Sequence, residues 1–259
     1  MALVYGVIVG LSLGLTGGGG SIFAVPLLLY GLGLDFRRAV AVSLAVVGLT
    51  ALYGAVLQAR RGHVLWGAGA VLGLGGVMAA PLGGWIGARL PAQLSLLLFA
   101  ALMIFIGERM LLRKETVGDV PLSWSSCERW PDGRPRFSLP CAGKLVGAGA
   151  VTGVLSGIFA VGGGFLVVPA LLVVTCVGIE RALATSLVGI FLISASGFAA
   201  NARNLAAGDW NLAGLFLLGS ALGMTGGAHL KKSIPARGLQ LIFGLSVIGT
   251  AFYVILRNL

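Results

Sequence analysis

The chain has 259 residues, of which 58% are hydrophobic and only 10% are charged, whereas a soluble domain carries about 25% charged residues. This balance excludes a water-soluble globule, because too few polar side chains are present to cover its surface. The formal charge is +10, from 18 basic and 8 acidic residues, but the basic residues lie between apolar segments and form no long tract of the kind that binds nucleic acid. We therefore expect a lipid bilayer as the main partner, and no nucleic acid.

The apolar segments have a helical pattern. They are apolar on all sides and rich in Leu, Ala and Gly, whereas the strands of a membrane barrel alternate with period two. Inside a bilayer only helices and closed barrels pair all of their backbone groups. The sequence therefore predicts an all-α polytopic membrane protein.

The first segment, 2–34, is too long for one crossing. As a straight helix it would measure about 50 Å, against a hydrocarbon core of about 30 Å. Gly17, Gly18, Gly19 and Gly20 lie in its middle, and consecutive glycines disfavour continuous helix. We expect two half-helices with irregular backbone between them, which at membrane depth has to line a cavity or be buried in protein. Close helix packing is the alternative explanation for these glycines.

Three uninterrupted segments and a polar connector follow. The connector, 113–143, is the long hydrophilic stretch of the chain, and it separates a first transmembrane repeat, 1–112, from a second, 144–259. The predicted segments of the first repeat are 38–57, 64–88 and 92–112.

The second repeat duplicates the first. With an offset of 143 positions, Gly6–Arg60 aligns without gaps with Gly149–Arg203, and 18 of the 55 pairs are identical. Gly83 and Gly84 align with Gly226 and Gly227 further along. Transporters commonly carry internal repeats of this kind. The second repeat is thus predicted to contain a broken first segment, 144–178, and then 182–200, 211–230 and 236–256.

The distribution of basic residues favours one topology. If each broken segment crosses the membrane once, the 18 basic residues divide 11 to 7 between the two faces; if each is a re-entrant hairpin, they divide 13 to 5. The second division obeys the positive-inside rule better. It gives each repeat an odd number of crossings, so we expect inverted repeats with Arg60, Arg61 and the connector in the cytoplasm.

The candidate solute is an anion. All eight acidic residues lie in predicted loops or at segment ends, whereas cation carriers usually place Asp or Glu inside the membrane. A half-helix that begins at a glycine break directs unpaired N–H groups into the break, and helix N-termini bind anions without a formal cation. Nearby hydroxyls add hydrogen bonds, although a back-bond to the same helix is the alternative for each. The candidate substrate-binding residues are Gly18, Gly19, Gly20, Ser21, Ser43, Gly162, Gly163, Gly164, Thr185 and Ser186.

Two further pairs are candidates for a pathway or entrance. Gln58 and Asn201 are aligned amides, and each is followed by an aligned arginine, Arg60 or Arg203. Such residues gather anions at an entrance, and capping of helix ends or anchoring at the interface is the alternative. The sequence contains no HExxH motif, no paired membrane aspartates and no metal-binding cysteine spacing, so we expect no enzyme activity, no cofactor and no metal. We expect its three cysteines to be ordinary thiols.

Two glycine-rich motifs lie at aligned places in the two repeats. The first is Gly14-x-x-Gly17-Gly18-Gly19-Gly20-Ser21 to Pro26-x-Leu28 with Arg38-Ala39-x-Ala41-x-Ser43-Leu44, and the second is Gly157 through Gly162-Gly163-Gly164 to Pro169-x-Leu171 with Ala182-x-Ala184-Thr185-Ser186-Leu187. These motifs resemble those of the TauE/SafE family of sulfite exporters, and the resemblance covers essentially the full chain. It implies export of sulfite or an organosulfonate across a bacterial inner membrane. Val42 departs from the pattern, because the second copy has Thr185 at the aligned position.

Residue patterns leave the mechanism open. We expect alternating access to one midplane site between the two repeats, and an anion channel or a non-transporting assembly protein are the alternatives. Gly6, Gly10 and Gly14 have the small-xxx-small spacing of helix packing faces, which serves packing within the chain or a homodimer equally well.

Overall fold

A computed structural model describes residues 1–112, 139–159, 164–175, 179–205, 208–230 and 236–258. Every regular element in these ranges is helical. The α-helices, in chain order, are α1 Ala2–Thr16, α2 Gly20–Pro26, α3 Phe36–Ala59, α4 Trp66–Gly87, α5 Ala92–Leu112, α6 Leu139–Phe159, α7 Gly164–Thr175, α8 Ile179–Asn201, α9 Asp209–Leu230 and α10 Ala236–Asn258.

Five helices in the described ranges are long and apolar enough to cross a membrane. They lie at Phe36–Ala59, Trp66–Gly87, Cys141–Phe159, Glu180–Asn201 and Asp209–Leu230. The predicted all-α membrane class is thereby confirmed. Each uninterrupted segment is found within a few residues of its predicted bounds.

The surface of α4 shows why the bilayer suits this fold. Leu74, Met78 and Leu82 form an exposed row, while the opposite face of the helix is made of glycines that pack on neighbouring helices. Exposed Trp66 and Trp85 lie near the two ends of α4, about 29 Å apart along the axis. This spacing matches the aromatic belts at the two interfaces of a hydrocarbon core of about 30 Å.

The first segment is broken at the predicted glycines, and the chain then turns back. A Cβ built on Gly20 at the start of α2 would lie 2.8 Å from Cβ of Leu13, near the end of α1. A Cβ on Gly31 would lie 2.8 Å from the ring of Tyr5, near the beginning of α1. Residues 2–31 therefore form a helical hairpin. Pro26 ends α2, and a π-helical turn, Leu27–Gly31, follows, because proline removes a helix hydrogen bond.

The second broken segment has its own boundaries. α6 begins at Leu139, so its first turn includes the last residues of the predicted connector. Pro140 occupies the first turn of α6, where its missing N–H costs nothing. The predicted break at Gly162 and Gly163 lies outside the described residues.

The first helix of each broken segment packs on the other half of the chain. α1 runs along α9, and α6 runs along α4, each through glycines that lie against backbone atoms of the partner helix. The equivalent contacts join Gly6, Gly10 and Gly14 to Phe216, Ser220 and Met224, and Gly149, Gly153 and Gly157 to Leu72, Gly76 and Ala80.

These contacts change the predicted alignment of Gly83 with Gly226 by one residue. Gly83 lies against the backbone of Val154, and Gly227 lies against the backbone of Leu11. Since Leu11 and Val154 are aligned, Gly83 corresponds to Gly227 and not to Gly226. Glycine is abundant in this stretch, so matching letters alone did not fix the register.

α3 and α8 run in opposite directions where they cross. Gly48 lies against Ser194, and Gly197, further along α8, lies against Leu44, earlier in α3. Because α3 and α8 are aligned elements of the two repeats, this antiparallel crossing is the arrangement that inverted repeats require. The orientation of the two repeats in the membrane stays a prediction.

Cys141 at the start of α6 is disulfide-bonded, which contradicts the expectation that all three cysteines are free thiols. The other two cysteines, Cys127 and Cys176, both lie outside the described residues.

Candidate functional site

The tip of the first hairpin depends on Gly17. This residue ends α1 with φ +69° and donates its N–H to Leu13 O at 2.8 Å. A side chain is strained in this left-handed conformation. A Cβ would also lie 2.6 Å from Leu183 O in α8. Glycine is therefore needed both to turn the chain and to let the tip approach α8.

Thr16 and Ser21 close the turn on either side of the glycines. The Thr16 hydroxyl donates to Ser12 O at 2.7 Å and accepts the Gly19 N–H at 2.8 Å. The Ser21 hydroxyl donates to Gly18 O at 2.9 Å. Sequence reasoning missed Thr16, because its aligned residue in the second repeat is Phe159 and gave no signal.

The tip of the first hairpin contacts the start of α7. A Cβ on Gly18 would overlap the carbonyl oxygen of Gly164, the first residue of α7. A Cβ on Gly164 would lie 2.9 Å from both Gly18 O and Ser21 Oγ. The structure thus brings together the predicted residues Gly18, Gly19, Gly20, Ser21 and Gly164.

Thr185 and Ser186 in α8 join this group by hydrogen bonds to neighbouring backbone. The Ser186 hydroxyl lies 2.8 Å from both Gly17 O and Leu183 O, and it shares its single proton between these two acceptors. The Thr185 hydroxyl accepts the N–H of Leu65, just before α4, at 3.1 Å. Both side chains are buried, so their first function in this structure is to hold elements together.

Ser43 differs from its aligned partner Ser186. Its side chain is fully buried in α3, and its hydroxyl has no hydrogen-bond partner. Thr50 Oγ1 and Gln58 Oε1, further along α3, are also buried without a partner. Most buried polar groups are paired, so three exceptions on one helix require an explanation.

The four pathway candidates do not lie around one entrance. Gln58 and Arg60 are at the end of α3, whereas Asn201 and Arg203 are at the end of α8, and the two helices run in opposite directions. Arg60 and Arg203 are exposed, while Gln58 is buried. Asn201 Nδ2 donates to Gly197 O at 2.9 Å, which is a bond within its own helix.

An ion pair joins the repeats at the beginning of α3 and α9. Arg38 forms a two-pronged hydrogen-bonded pair with Asp209 through Nε and an Nη nitrogen. Asp209 is 3% exposed and Arg38 is 38% exposed. This polar link lies at the opposite end of α3 from Gln58.

A cavity of about 510 Å³ lies at the open end of the first hairpin, lined by Tyr5, Phe23, Leu27, Tyr30 and Thr250 among others. It is separated from the tip, because Tyr5 and Tyr30 lie near the beginning of α1 and the end of the π-helical turn. The contact of the tip with α7 is therefore a different place from this largely apolar cavity.

Several apolar spanning helices and a buried hairpin tip are typical of a polytopic membrane transporter. The chain belongs to the TauE/SafE family: the family model described as "Sulfite exporter TauE/SafE" matches residues 2–254.

Relatives with curated names agree with this class. Proteins from Xylella fastidiosa strains 9a5c and Temecula1, each named "Probable membrane transporter protein", are 36% identical to this chain. Each match covers 98% of this chain and 93% of the relative. No solved structure matches the chain significantly. The resemblance to the TauE/SafE family is confirmed, and these names indicate a transporter rather than an enzyme.

Proposed function

We propose that this protein exports a small sulfur-containing anion, sulfite or an organosulfonate, from the cytoplasm across a bacterial inner membrane. The observation that carries the proposal is the contact between the first hairpin tip at Gly18 and the start of α7 at Gly164. Interrupted segments at matching places in two repeats are typical transport sites. The family description, sulfite exporter, supports the substrate class.

Serine hydroxyls hydrogen-bond to two carbonyl oxygens at the first hairpin tip, which makes the tip more favourable for an anion. Gly17 O accepts from Ser186, and Gly18 O accepts from Ser21. A free carbonyl oxygen carries partial negative charge and repels an anion, so pairing these oxygens removes an unfavourable contact. The N–H groups at the start of α7 then supply the attraction. We therefore assign Ser21 and Ser186 an indirect function at the site.

The chemistry of the site favours a solute with one negative charge, which a sulfonate carries and which sulfite carries only as hydrogen sulfite, its singly protonated form. In the described part of the chain, Asp209 is the only buried charged side chain, and Arg38 neutralises it. An anion that leaves water loses solvation energy, and a second charge makes this loss much larger. With no buried cation near Gly18 and Gly164 to offset it, a doubly charged anion such as sulfate is expected to bind poorly.

The crossing of α3 and α8 suits alternating access. In the predicted inverted arrangement the two broken segments enter the molecule from opposite ends, so a solute at the contact between Gly18 and Gly164 is separated from each face by different elements. Movement of one repeat against the other exposes this contact to one face at a time. An inside-negative potential favours anion exit by about 2.3 kcal/mol per charge per 100 mV, so export needs no coupled ion.

The test is solute flux in proteoliposomes made with the purified protein. We expect saturable efflux of sulfite and methanesulfonate, accelerated by solute on the opposite side and by an imposed potential, with sulfate and acetate as controls. Flux that neither saturates nor responds to solute on the opposite side would indicate a channel. Absence of flux for every anion would contradict the proposal and favour an assembly protein.

A further inference from the structure

Three buried polar atoms on α3 share a property that is rare in folded proteins. Ser43 Oγ, Thr50 Oγ1 and Gln58 Oε1 make no hydrogen bond, and their side chains are 0%, 1% and 4% exposed. An unpaired polar group in a dry interior is unfavourable. A threonine inside a helix usually bonds back to its own backbone, and Thr50 does not.

The three residues lie on one side of α3. At about 100° per residue they fall within roughly a quarter of the helix circumference, and they extend over about 22 Å along the axis. Val47 and Gly54 fall on the same side, and both are buried. We call these five residues the α3 stripe; it begins at Ser43 and ends at Gln58, two residues before exposed Arg60.

The aligned residues of α8 differ. Ser186 is paired with two carbonyl oxygens, and Asn201 bonds to Gly197 O. Ile193 is aligned with Thr50 and is buried. The residues of α8 that align with the α3 stripe are therefore hydrogen-bonded at Ser186 and Asn201 and apolar at Ile193. The α3 stripe, by contrast, carries polar atoms without hydrogen bonds along its length.

The α3 stripe is covered by a flexible side chain. The terminal methyl of Met224 lies where a Cβ of Gly54 would be, and Leu187 Cδ1 would lie 3.2 Å from that Cβ. Methionine is unbranched and changes conformation easily. Gly54 leaves room between Thr50 and Gln58, and Met224 fills that room in this structure.

We propose that the α3 stripe is the solute path between the first hairpin tip and the Arg60 end of α3, and that Thr50 is its central solute-contacting residue. The inference rests on the proposed transport function. The hydroxyls of Ser43 and Thr50 donate hydrogen bonds to a passing oxyanion or to the water that accompanies it, and Gln58 Oε1 accepts a hydrogen bond from that water. Their unpaired state results from closure of the path, and movement of Met224 gives them partners. No equivalent path follows α8, because Ile193 blocks it.

The first test compares Thr50→Val with Ile193→Val in proteoliposomes. Valine keeps the shape of threonine and removes its hydroxyl, so we expect efflux of methanesulfonate to fall at least tenfold in Thr50→Val. The thermal midpoint should stay the same or rise, because the lost hydroxyl had no partner. Ile193→Val should keep its flux within twofold of the wild type. A stable Thr50→Val protein that transports at the full rate would overturn the inference.

The second test does not depend on flux. On a cysteine-free background, Thr50→Cys and Ile193→Cys are treated with a small anionic methanethiosulfonate reagent. We expect Thr50→Cys to react at least tenfold faster than Ile193→Cys, and methanesulfonate to protect it. Equal, slow reaction at both positions would refute the path even if the wild-type protein transports. Fast reaction at Thr50→Cys in a protein without flux would uphold a hydrated path and refute the transport proposal alone.

Discussion

Ser43 and Ser186 occupy aligned positions but differ in what their hydroxyls contact. Ser186 shares its proton between Gly17 O and Leu183 O, whereas Ser43 has no partner. A hydroxyl that satisfies a buried carbonyl stabilises the fold, and a buried hydroxyl without a partner does not.

These two serines give a matched pair for stability. We expect Ser186→Ala to lower the free energy of unfolding by about 1–3 kcal/mol, because Gly17 O loses its partner. Ser43→Ala should change it by less than about 0.5 kcal/mol. Unfolding midpoints of the two variants in the same detergent check the prediction. Equal losses would show that Ser43 has a structural partner.

Gly18 provides a test of the contact between the first hairpin tip and α7. Gly18→Ala places a methyl group on the carbonyl of Gly164, so we expect a loss of about 1–3 kcal/mol from overpacking and at least a roughly tenfold fall in flux from displacement of the site. Gly226→Ala is the control, since a Cβ there meets nothing within 4 Å. Flux and thermal midpoint are measured for both. A Gly18→Ala protein equal to the control would argue against a close contact.

The sequence predicted the glycines of the site better than its hydroxyls. Consecutive glycines have a direct backbone consequence, and the break at Gly17–Gly20 was found as predicted. Thr16 and Thr50 were missed because the repeat places Phe159 and Ile193 at the aligned positions. A comparison of two repeats detects what they share, and it therefore overlooks a group that only one of them carries.

Among the helices, existence and bounds were predictable but partners were not. Each segment is apolar on all sides, so the hydrophobic pattern does not show which face is buried. The small-xxx-small spacing of α1 does mark a packing face, but it does not show that α9 covers it. Two regular glycine faces fit each other in several ways, and the three-dimensional structure is needed to choose among them.

The Arg38–Asp209 pair joins α3 to α9, and a double-mutant cycle measures this link. We expect Arg38→Gln and Asp209→Asn to show a favourable coupling energy, because Asp209 is buried and Arg38 is its hydrogen-bonded partner. The exchanged variant, Arg38→Asp with Asp209→Arg, should recover part of the stability. A coupling energy near zero would show that water replaces the pair without loss.

The distribution of charge predicts an orientation of the protein. If both broken segments are re-entrant, 13 of the 18 basic residues fall on the side of Arg60 and the connector, which the positive-inside rule assigns to the cytoplasm. The disulfide at Cys141 argues for the opposite orientation, because disulfides persist in oxidising compartments.

The accessibility of introduced cysteines in intact cells decides between the two orientations. We expect Arg203→Cys, on a cysteine-free background, to react with an impermeant maleimide in intact cells, and Arg60→Cys to react only after permeabilisation. Retained flux in the cysteine-free protein is the control for folding. The reverse labelling pattern would place the connector outside and reverse the direction of transport relative to the repeats.

The interleaved packing of the two repeats has a consequence for biogenesis. Ser220 in α9 donates to Gly6 O in α1 at 3.1 Å, across a separation of 214 residues. At a synthesis rate of about 5–20 residues per second, α1 leaves the ribosome roughly 10–40 s before its partner. During that interval the glycine face of α1, which later lies against backbone, has no native helix to cover it. The nascent hairpin therefore has to be sheltered by the insertion machinery or by a temporary neighbour, and a ribosome stalled before α9 would leave a chain that quality-control proteases can recognise.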